Sequence, residues 1–138
     1  MYRYVHTVQY YETDRMGVAH HSNHIRWMEE ARVSWLEALG WSYARLEESG
    51  IVSPVTAVEC RYKSPCTFSD AVTVTVSMAS FDGVTLKVDY RMEGEDGKLI
   101  CQARSEHVFL NRQGRFIRLK RDYSEFYACL MREVEEVQ

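Results

Sequence analysis

The fold is decided by the stretch YYETDRMGVAHHSNH, residues 10–24, which joins a predicted first strand to a long apolar helix. The stretch carries three of the five histidines, together with Asp14 in a short loop and Gly17, which relaxes the backbone. Ser22 or Asn23 could cap the helix that follows, because a short side-chain oxygen accepts from the free N–H groups of a first turn. No other part of the sequence is so dense in groups that can do chemistry.

The sequence on either side of this stretch predicts a long helix and five strands. Residues 4–11 alternate as the two faces of a strand do. Apolar residues recur at three- and four-residue steps from Ser22 to Leu39, and we expect this helix to be nearly buried on all sides. A shorter helix is predicted from Ser42 to Glu48. The other strands are predicted at residues 51–62, 70–80, 84–93 and 99–110.

Turn residues order the later strands. The Asp-Gly pairs at 82–83 and 96–97 supply the positive φ of tight hairpins, so the last three strands should form an antiparallel meander. Asp122 and Glu125 have the spacing of a capping box, and the apolar residues that follow predict an amphipathic C-terminal helix. The sequence therefore predicts an α+β fold, a five-stranded antiparallel sheet wrapped around a long central helix, with an additional C-terminal helix. This order of elements resembles the hotdog fold.

Composition predicts one domain, residues 1–138, because 46% of the 138 residues are hydrophobic and only 2 are proline. The net charge of -3 gives no electrostatic footprint for nucleic acid or an anionic membrane, and we expect neither partner. No apolar run has signal-peptide or membrane-spanning length, which favours a cytoplasmic protein. An open sheet edge would pair with a second copy, so we expect a homodimer or homotetramer.

The opening stretch resembles the 4-hydroxybenzoyl-CoA thioesterase family and its YbgC-type branch. The resemblance rests on the run from Tyr10 to His21 and continues on the predicted helix through Asn23, Trp27, Glu29, Ala31 and Arg32. The Tyr-Lys-Ser-Pro turn at 62–65, followed by Asp70, is similar to the aromatic-x-x-Pro turn of that family. The resemblance implies hydrolysis of an acyl-CoA thioester, with coenzyme A as part of the substrate and no other cofactor.

Roles for individual residues follow from the resemblance. It places Asp14 as nucleophile or general base, and a loop carboxylate can indeed attack an acyl carbon or orient a water. His21, seven residues later at the helix entrance, would polarise the carbonyl or protonate the departing thiolate, where backbone N–H groups and the helix dipole also stabilise an oxyanion. Tyr10 would hold the carboxylate or the water, although either Tyr10 or Tyr11 could point inward. Arg61 and Lys63 are candidates for the phosphates of coenzyme A.

Structural alternatives stay open for each of these residues. Asp14 could be an ordinary Asx-turn aspartate, His21 a helix-entrance residue bonded to backbone, and Tyr10 a core aromatic. His20 and His24 are four residues apart and could share a helix face, but a third ligand is missing, so we expect no metal site.

Two other functions also stay open. One is an acyl-carrier-protein thioesterase, and the other is a non-catalytic hotdog module that binds acyl-CoA. A dehydratase or hydratase is a weaker reading, because its usual His and acid pair has no place in the sequence.

Overall fold

The computed structural model describes residues 1–137, so Gln138, the last residue of the predicted domain, lies outside the described residues. The strands are β1 (Tyr2–Thr7), β2 (Val55–Tyr62), β3 (Ala71–Phe81), β4 (Thr85–Glu93) and β5 (Leu99–Val108). The helices are α1 (Ser22–Ala38), α2 (Tyr43–Glu48), α3 (Leu119–Asp122) and α4 (Ser124–Val137), with a 3₁₀ turn at Tyr10–Glu12.

The strands form one antiparallel sheet in the order β1-β3-β4-β5-β2. Strands β3, β4 and β5 are consecutive neighbours, which confirms the predicted meander. Gly83 and Gly97 turn its two hairpins with φ of 93° and 80°. The inward side chains of β3 alternate with outward ones, and Val72, Val74 and Val76 are fully buried. The sheet faces α1 and α4, and the predicted α+β hotdog fold is confirmed.

Helix α1 differs from the prediction in two respects. It is amphipathic, because Ile25 is 44% exposed while Trp27 and Ala31 are fully buried, so only one face meets the sheet. Neither Ser22 nor Asn23 caps it, since the N-cap position is His21 and no side chain accepts there. The Asn23 amide instead donates to the backbone oxygen of Glu12 at 2.9 Å. A long-range contact has therefore replaced a local cap.

The first strand ends earlier than its alternation predicts. It runs from Tyr2 to Thr7, and Tyr10–Glu12 form a 3₁₀ turn in which the Gln9 N–H donates to the Glu12 side chain at 2.8 Å. Strand β2 begins at Val55, four residues later than predicted. Helix α2 is confirmed, with Ser42 as its cap, accepting from the Arg45 N–H at 3.2 Å.

The predicted capping box at the C-terminal helix is wrong. Asp122 ends α3, and its carboxylate accepts from the Arg121 guanidinium at 2.8 Å, while α4 begins at Ser124. None of the helices within residues 1–137 is long and apolar enough to cross a membrane.

Helix α4 is part of the core. Phe126 is fully buried, with its ring centre 4.9 Å from that of Trp41 and 5.5 Å from that of Phe109. Leu130 is also fully buried, so α4 covers apolar surface that β3 would otherwise expose.

The burial of Phe126 predicts a large loss of stability when its ring is removed. Phe126→Ala should lower the free energy of unfolding by about 3–5 kcal/mol, because a cavity replaces the ring. Phe116→Ala is the matched control, since Phe116 is 67% exposed, and it should change stability little. Urea denaturation followed by circular dichroism measures both. Similar midpoints for the two variants would contradict the role of α4 in the core.

Candidate active site

A cleft of about 320 Å³ opens where the residue 14–18 loop, the start of α1 and the β2–β3 connection meet. The predicted site residues on its wall are Asp14, His21 and Lys63. The wall also includes Met16, His24, Tyr62 and Cys66. Two parts of the chain that are distant in sequence, residues 14–24 and 62–66, therefore bring a carboxylate, imidazoles, a thiol and a lysine to one opening.

A tight turn presents Asp14 to this cleft. The Asp14 N–H donates to the Val18 oxygen at 2.9 Å, and the Gly17 N–H donates back to the Asp14 oxygen at 3.0 Å. Gly17 has a φ of 78°, which side chains rarely adopt. Oδ1 of Asp14 accepts from the Met16 N–H at 2.8 Å, the Asx turn that the sequence left open. Oδ2 has no hydrogen-bond partner among the described residues, so it can accept from a ligand or a water.

The start of α1 presents His21. The Tyr62 hydroxyl donates to the His21 carbonyl oxygen at 2.8 Å and fixes that peptide at the cleft wall. His20 occupies two of the helix-entrance donors, because Ser22 N donates to its Nδ1 at 3.2 Å and Asn23 N donates to its oxygen at 3.0 Å. The His21 N–H forms no hydrogen bond within residues 1–137. Two backbone N–H groups at the start of α1 are thus already used, and the His21 N–H is one that can still donate to an oxyanion.

His24 lies deeper in the wall than the sequence indicated. Its side chain is buried between Trp27 and Tyr62, with ring centres 4.7 and 4.9 Å away, and the contact with Tyr62 is edge-on. Burial lowers the pKa of His24, so the ring is neutral at pH 7. His24 and His20 do not share a helix face, because His20 precedes α1 and stacks on His21 at 4.1 Å.

Cys66 also faces the cleft, but as a thiol. Burial raises its pKa to about 11, and the carboxylates of Asp70 and Glu12 act in the same direction. A thiolate is the nucleophilic form of cysteine, so Cys66 is not an activated nucleophile at neutral pH. Among the described residues no group of three or more His, Cys, Asp or Glu side chains could hold a metal ion.

Two predicted residues lie away from the cleft wall. Tyr10 is 77% exposed and packs edge-on against Phe68 at 5.8 Å, and Tyr11 is 78% exposed, so neither tyrosine points inward. Arg61 is exposed and pairs with Glu59 at 2.7 Å. The structure therefore brings Asp14, His21 and Lys63 together and leaves Tyr10 and Arg61 outside.

The buried carboxylate of Glu12, two residues before Asp14, forms hydrogen bonds that hold the start of this loop in place. Its Oε1 accepts from the Gln9 N–H and lies 2.8 Å from His6 Nε2, and its Oε2 accepts from the Trp27 indole at 2.8 Å. Burial opposes its charge, but these three donors outweigh burial and hold the pKa of Glu12 below its ordinary value.

Glu12, His24 and Tyr62 have structural contacts that sequence reasoning did not assign. Glu12 lies in the stretch of residues 10–24, but no sequence pattern predicts that its side chain is buried. Tyr62 was noted only as part of a turn, and His24 only as part of a histidine cluster. The sole signal was their position inside or next to the segments that resemble a family motif.

Comparison with known proteins identifies a thioesterase-like superfamily along most of the chain. The model of the thioesterase-like superfamily matches residues 8–135. A Bacillus subtilis protein provisionally named acyl-CoA thioesterase YneP is 30% identical over 106 residues, which are 77% of each chain. A 1,4-dihydroxy-2-naphthoyl-CoA hydrolase of Thermosynechococcus vestitus is 28% identical over 78% of this chain and 74% of its own. The crystal structure of a DHNA-CoA thioesterase from Staphylococcus aureus is 30% identical, covers 99% of this chain and 95% of that one, and superposes with a TM-score of 0.89.

The donors around Glu12 predict a pH-dependent stability. Because the folded pKa lies below the unfolded one, this stabilisation is full above about pH 4.3 and is lost as the pH falls through the folded pKa. Glu12→Gln should lower the free energy of unfolding at pH 7 by about 3 kcal/mol, since it removes a buried charge that three donors surround. It should also flatten the dependence of stability on pH below about pH 4.3.

Urea denaturation at a series of pH values measures this effect. Glu37→Gln is the control, because Glu37 is an exposed carboxylate on the same helix as Trp27, and it should leave both stability and its pH profile nearly unchanged. Equal stabilities of the Glu12 and Glu37 variants at pH 7 would show that the buried network does not stabilise the fold.

Proposed function

The chain belongs to the thioesterase-like superfamily, and from that premise we propose that it hydrolyses acyl-CoA thioesters to a free acid and coenzyme A. Thioester hydrolysis is the activity named for these three relatives, in two cases for a CoA ester of an aromatic acid. The observation that carries the proposal is the cleft lined by Asp14 and His21, because Asp14 Oδ2 and the His21 N–H have no partners among the described residues.

In the proposed reaction the Asp14 carboxylate acts as general base. It takes a proton from water as the water oxygen bonds to the thioester carbon, and the carbonyl oxygen becomes an oxyanion. The His21 N–H and the dipole of α1 stabilise that charge. When the carbon–sulfur bond breaks, the coenzyme A thiolate takes up this proton, either from Asp14 directly or through the His21 ring, and the Asp14 carboxylate is regenerated. Direct attack by Asp14, with a mixed anhydride that water then cleaves, needs the same ionised carboxylate.

Other groups around the cleft have supporting roles in this proposal. Tyr62 holds the His21 peptide in place through its hydrogen bond to the carbonyl oxygen. Lys63, on the cleft wall, is the better candidate for a phosphate of coenzyme A, because Arg61 is already paired with Glu59. Membership of the 4-hydroxybenzoyl-CoA branch and a cytoplasmic location both stay predictions.

Asp14 is the residue on which the activity should depend. Asp14→Asn keeps an oxygen for the Met16 N–H but cannot accept a proton, so kcat/KM should fall by roughly 100-fold or more. Asp82→Asn is the matched control, because Asp82 forms the same kind of turn with the Val84 N–H at 2.8 Å, far from the cleft. Release of free thiol from a panel of aliphatic and aromatic acyl-CoAs measures turnover.

The same assay separates the competing functions. Unchanged turnover in Asp14→Asn and Asp14→Ala would exclude the proposed chemistry. Tight binding of acyl-CoA by the wild type with no thiol release would favour the non-catalytic binding module. Faster cleavage of a carrier-protein thioester than of the CoA thioester, at the same acyl chain, would favour the carrier-protein thioesterase.

We further propose that the enzyme is a homodimer formed through β2. Seven of the eight β2 side chains are exposed, including Val55, Val58 and Tyr62, and the strand lies at the edge of the sheet. An apolar edge with unpaired backbone groups is a template for another strand. The half-exposed Ile25 of α1 adds apolar surface that a second copy would bury.

Sedimentation tests this interface. The wild type should sediment as a dimer or larger assembly at micromolar concentration, and Val58→Lys should shift it toward the monomer by burying a charge in the contact. Val84→Lys is the control, since Val84 is 50% exposed in the β3–β4 turn and should not change the assembly. A monomeric wild type, or a Val58→Lys variant that stays assembled, would exclude this interface.

A further inference from the structure

The turn that carries Asp14, residues 14–18, forms most of its hydrogen bonds within itself. The Asp14 N–H donates to the Val18 oxygen, and the Gly17 N–H donates to the Asp14 backbone oxygen. Residues 15–17 are exposed, so little packing holds the tip of the turn. Among the described residues, a single hydrogen bond joins the turn to another part of the chain.

That hydrogen bond comes from the β2–β3 connection. The Thr67 hydroxyl donates to the Gly17 oxygen at 2.6 Å. The base of the turn is held separately, because the Ala19 N–H donates to the Cys66 oxygen at 2.8 Å. Since the Gly17 N–H is bonded to the Asp14 oxygen, the bond that fixes Gly17 also limits the movement of Asp14.

Thr67 is itself firmly placed. Its N–H donates to Oδ2 of Asp70 at 2.8 Å, and the Asp70 N–H donates to the Thr67 oxygen at 3.1 Å. The same segment is bonded to Val8, because the Val8 N–H donates to the Asp70 oxygen and the Ser69 N–H donates to the Val8 oxygen, both at 2.9 Å. Val8 is fully buried. The Thr67 hydroxyl therefore connects the turn that carries Asp14 to the core.

This connection affects the geometry of the site more than the stability of the fold. Gly17 and Thr67 are both exposed, so water can replace the hydroxyl at the Gly17 oxygen, and its loss should cost little stability. A displacement of a catalytic group by about 1 Å, by contrast, can lower a rate roughly 100-fold. Thr67 is not part of the cleft wall, so its removal leaves the groups that line the cleft in the chain.

We propose that Thr67 is a positioning residue for thioester hydrolysis, because its hydroxyl holds the Gly17 carbonyl and thereby directs the Asp14 carboxylate toward the reacting carbon. The inference rests on the proposed thioesterase function. It also gives a role to Asp70, which the sequence resemblance included without assigning one: the Asp70 carboxylate holds the Thr67 N–H in place.

The first test removes the hydroxyl at nearly constant shape. Thr67→Val should lower kcat for benzoyl-CoA and octanoyl-CoA by roughly three- to tenfold and leave KM within about twofold, since one surface hydrogen bond biases the position of the turn by about that factor. Thr67→Ser keeps the donor and should retain most of the activity. Ser49→Ala is the matched control, because the Ser49 hydroxyl donates to the Arg45 oxygen at 2.8 Å at the end of α2, and it should leave kcat unchanged.

A double variant tests whether Thr67 acts through Asp14. In the Asp14→Asn background the general base is already lost, so adding Thr67→Val should lower the residual activity no further. General damage to the fold would lower the activity of both backgrounds alike. An equal loss in the two backgrounds therefore overturns the positioning role.

The remaining outcomes are distinct. A kcat of Thr67→Val within about twofold of the wild type, a rise in KM as its sole effect, or a Thr67→Ser variant as impaired as Thr67→Val overturns the proposal. Where Thr67→Val does not melt cooperatively, Thr67→Ala also lacks the hydroxyl and carries the same expectation. Absence of thiol release by the wild type across the whole acyl-CoA panel instead refutes the thioesterase function itself.

Discussion

The site depends on the hydrogen bonds that surround the buried carboxylate of Glu12. One oxygen holds the end of β1 through His6 and the 3₁₀ turn through the Gln9 N–H, and the other holds α1 through the Trp27 indole. The backbone oxygen of Glu12 accepts from the Asn23 side chain and from the His20 N–H. The residue two positions before Asp14 is thus fixed to elements on both sides of the loop. The position of the Asp14 carboxylate relative to the start of α1 follows from these contacts.

Local patterns were sufficient to predict the strands, the hairpins and the long helix. The alternation along β3 reflects the two-residue period of a strand, and the Asp-Gly pairs supply the positive φ that a tight turn requires. Both signals depend only on neighbouring residues. The resemblance predicted that Asp14 and His21 line one cleft. Their proximity is also expected physically, because the short loop from Asp14 leads directly to the start of α1. The interactions of Glu12 could not be predicted, since its indole partner is fifteen residues away and no periodicity encodes it.

The errors in the prediction also have physical causes. The alternation of residues 4–11 predicted a first strand that includes Tyr10 and Tyr11. The hydrogen bond from the Gln9 N–H to Glu12 instead closes a turn, and both tyrosine rings are exposed. Ser22 and Asn23 are favourable capping residues by type, but Asn23 forms a long-range hydrogen bond instead. The apolar Ile25 made α1 look buried all round, whereas it lies on the side that the proposed dimer would cover. In each case a contact distant in sequence prevailed over a local preference.

Glu12 and Arg32 are both buried charges, and the chain compensates the two charges differently. Three donors surround the Glu12 carboxylate, so its charge is compensated within the chain and its role is to hold elements together. Arg32 has a single described carboxylate, at 4.0 Å and on an exposed side chain, and the neutral His107 nearby adds no charge. A fold gains no stability from a buried cation in that state.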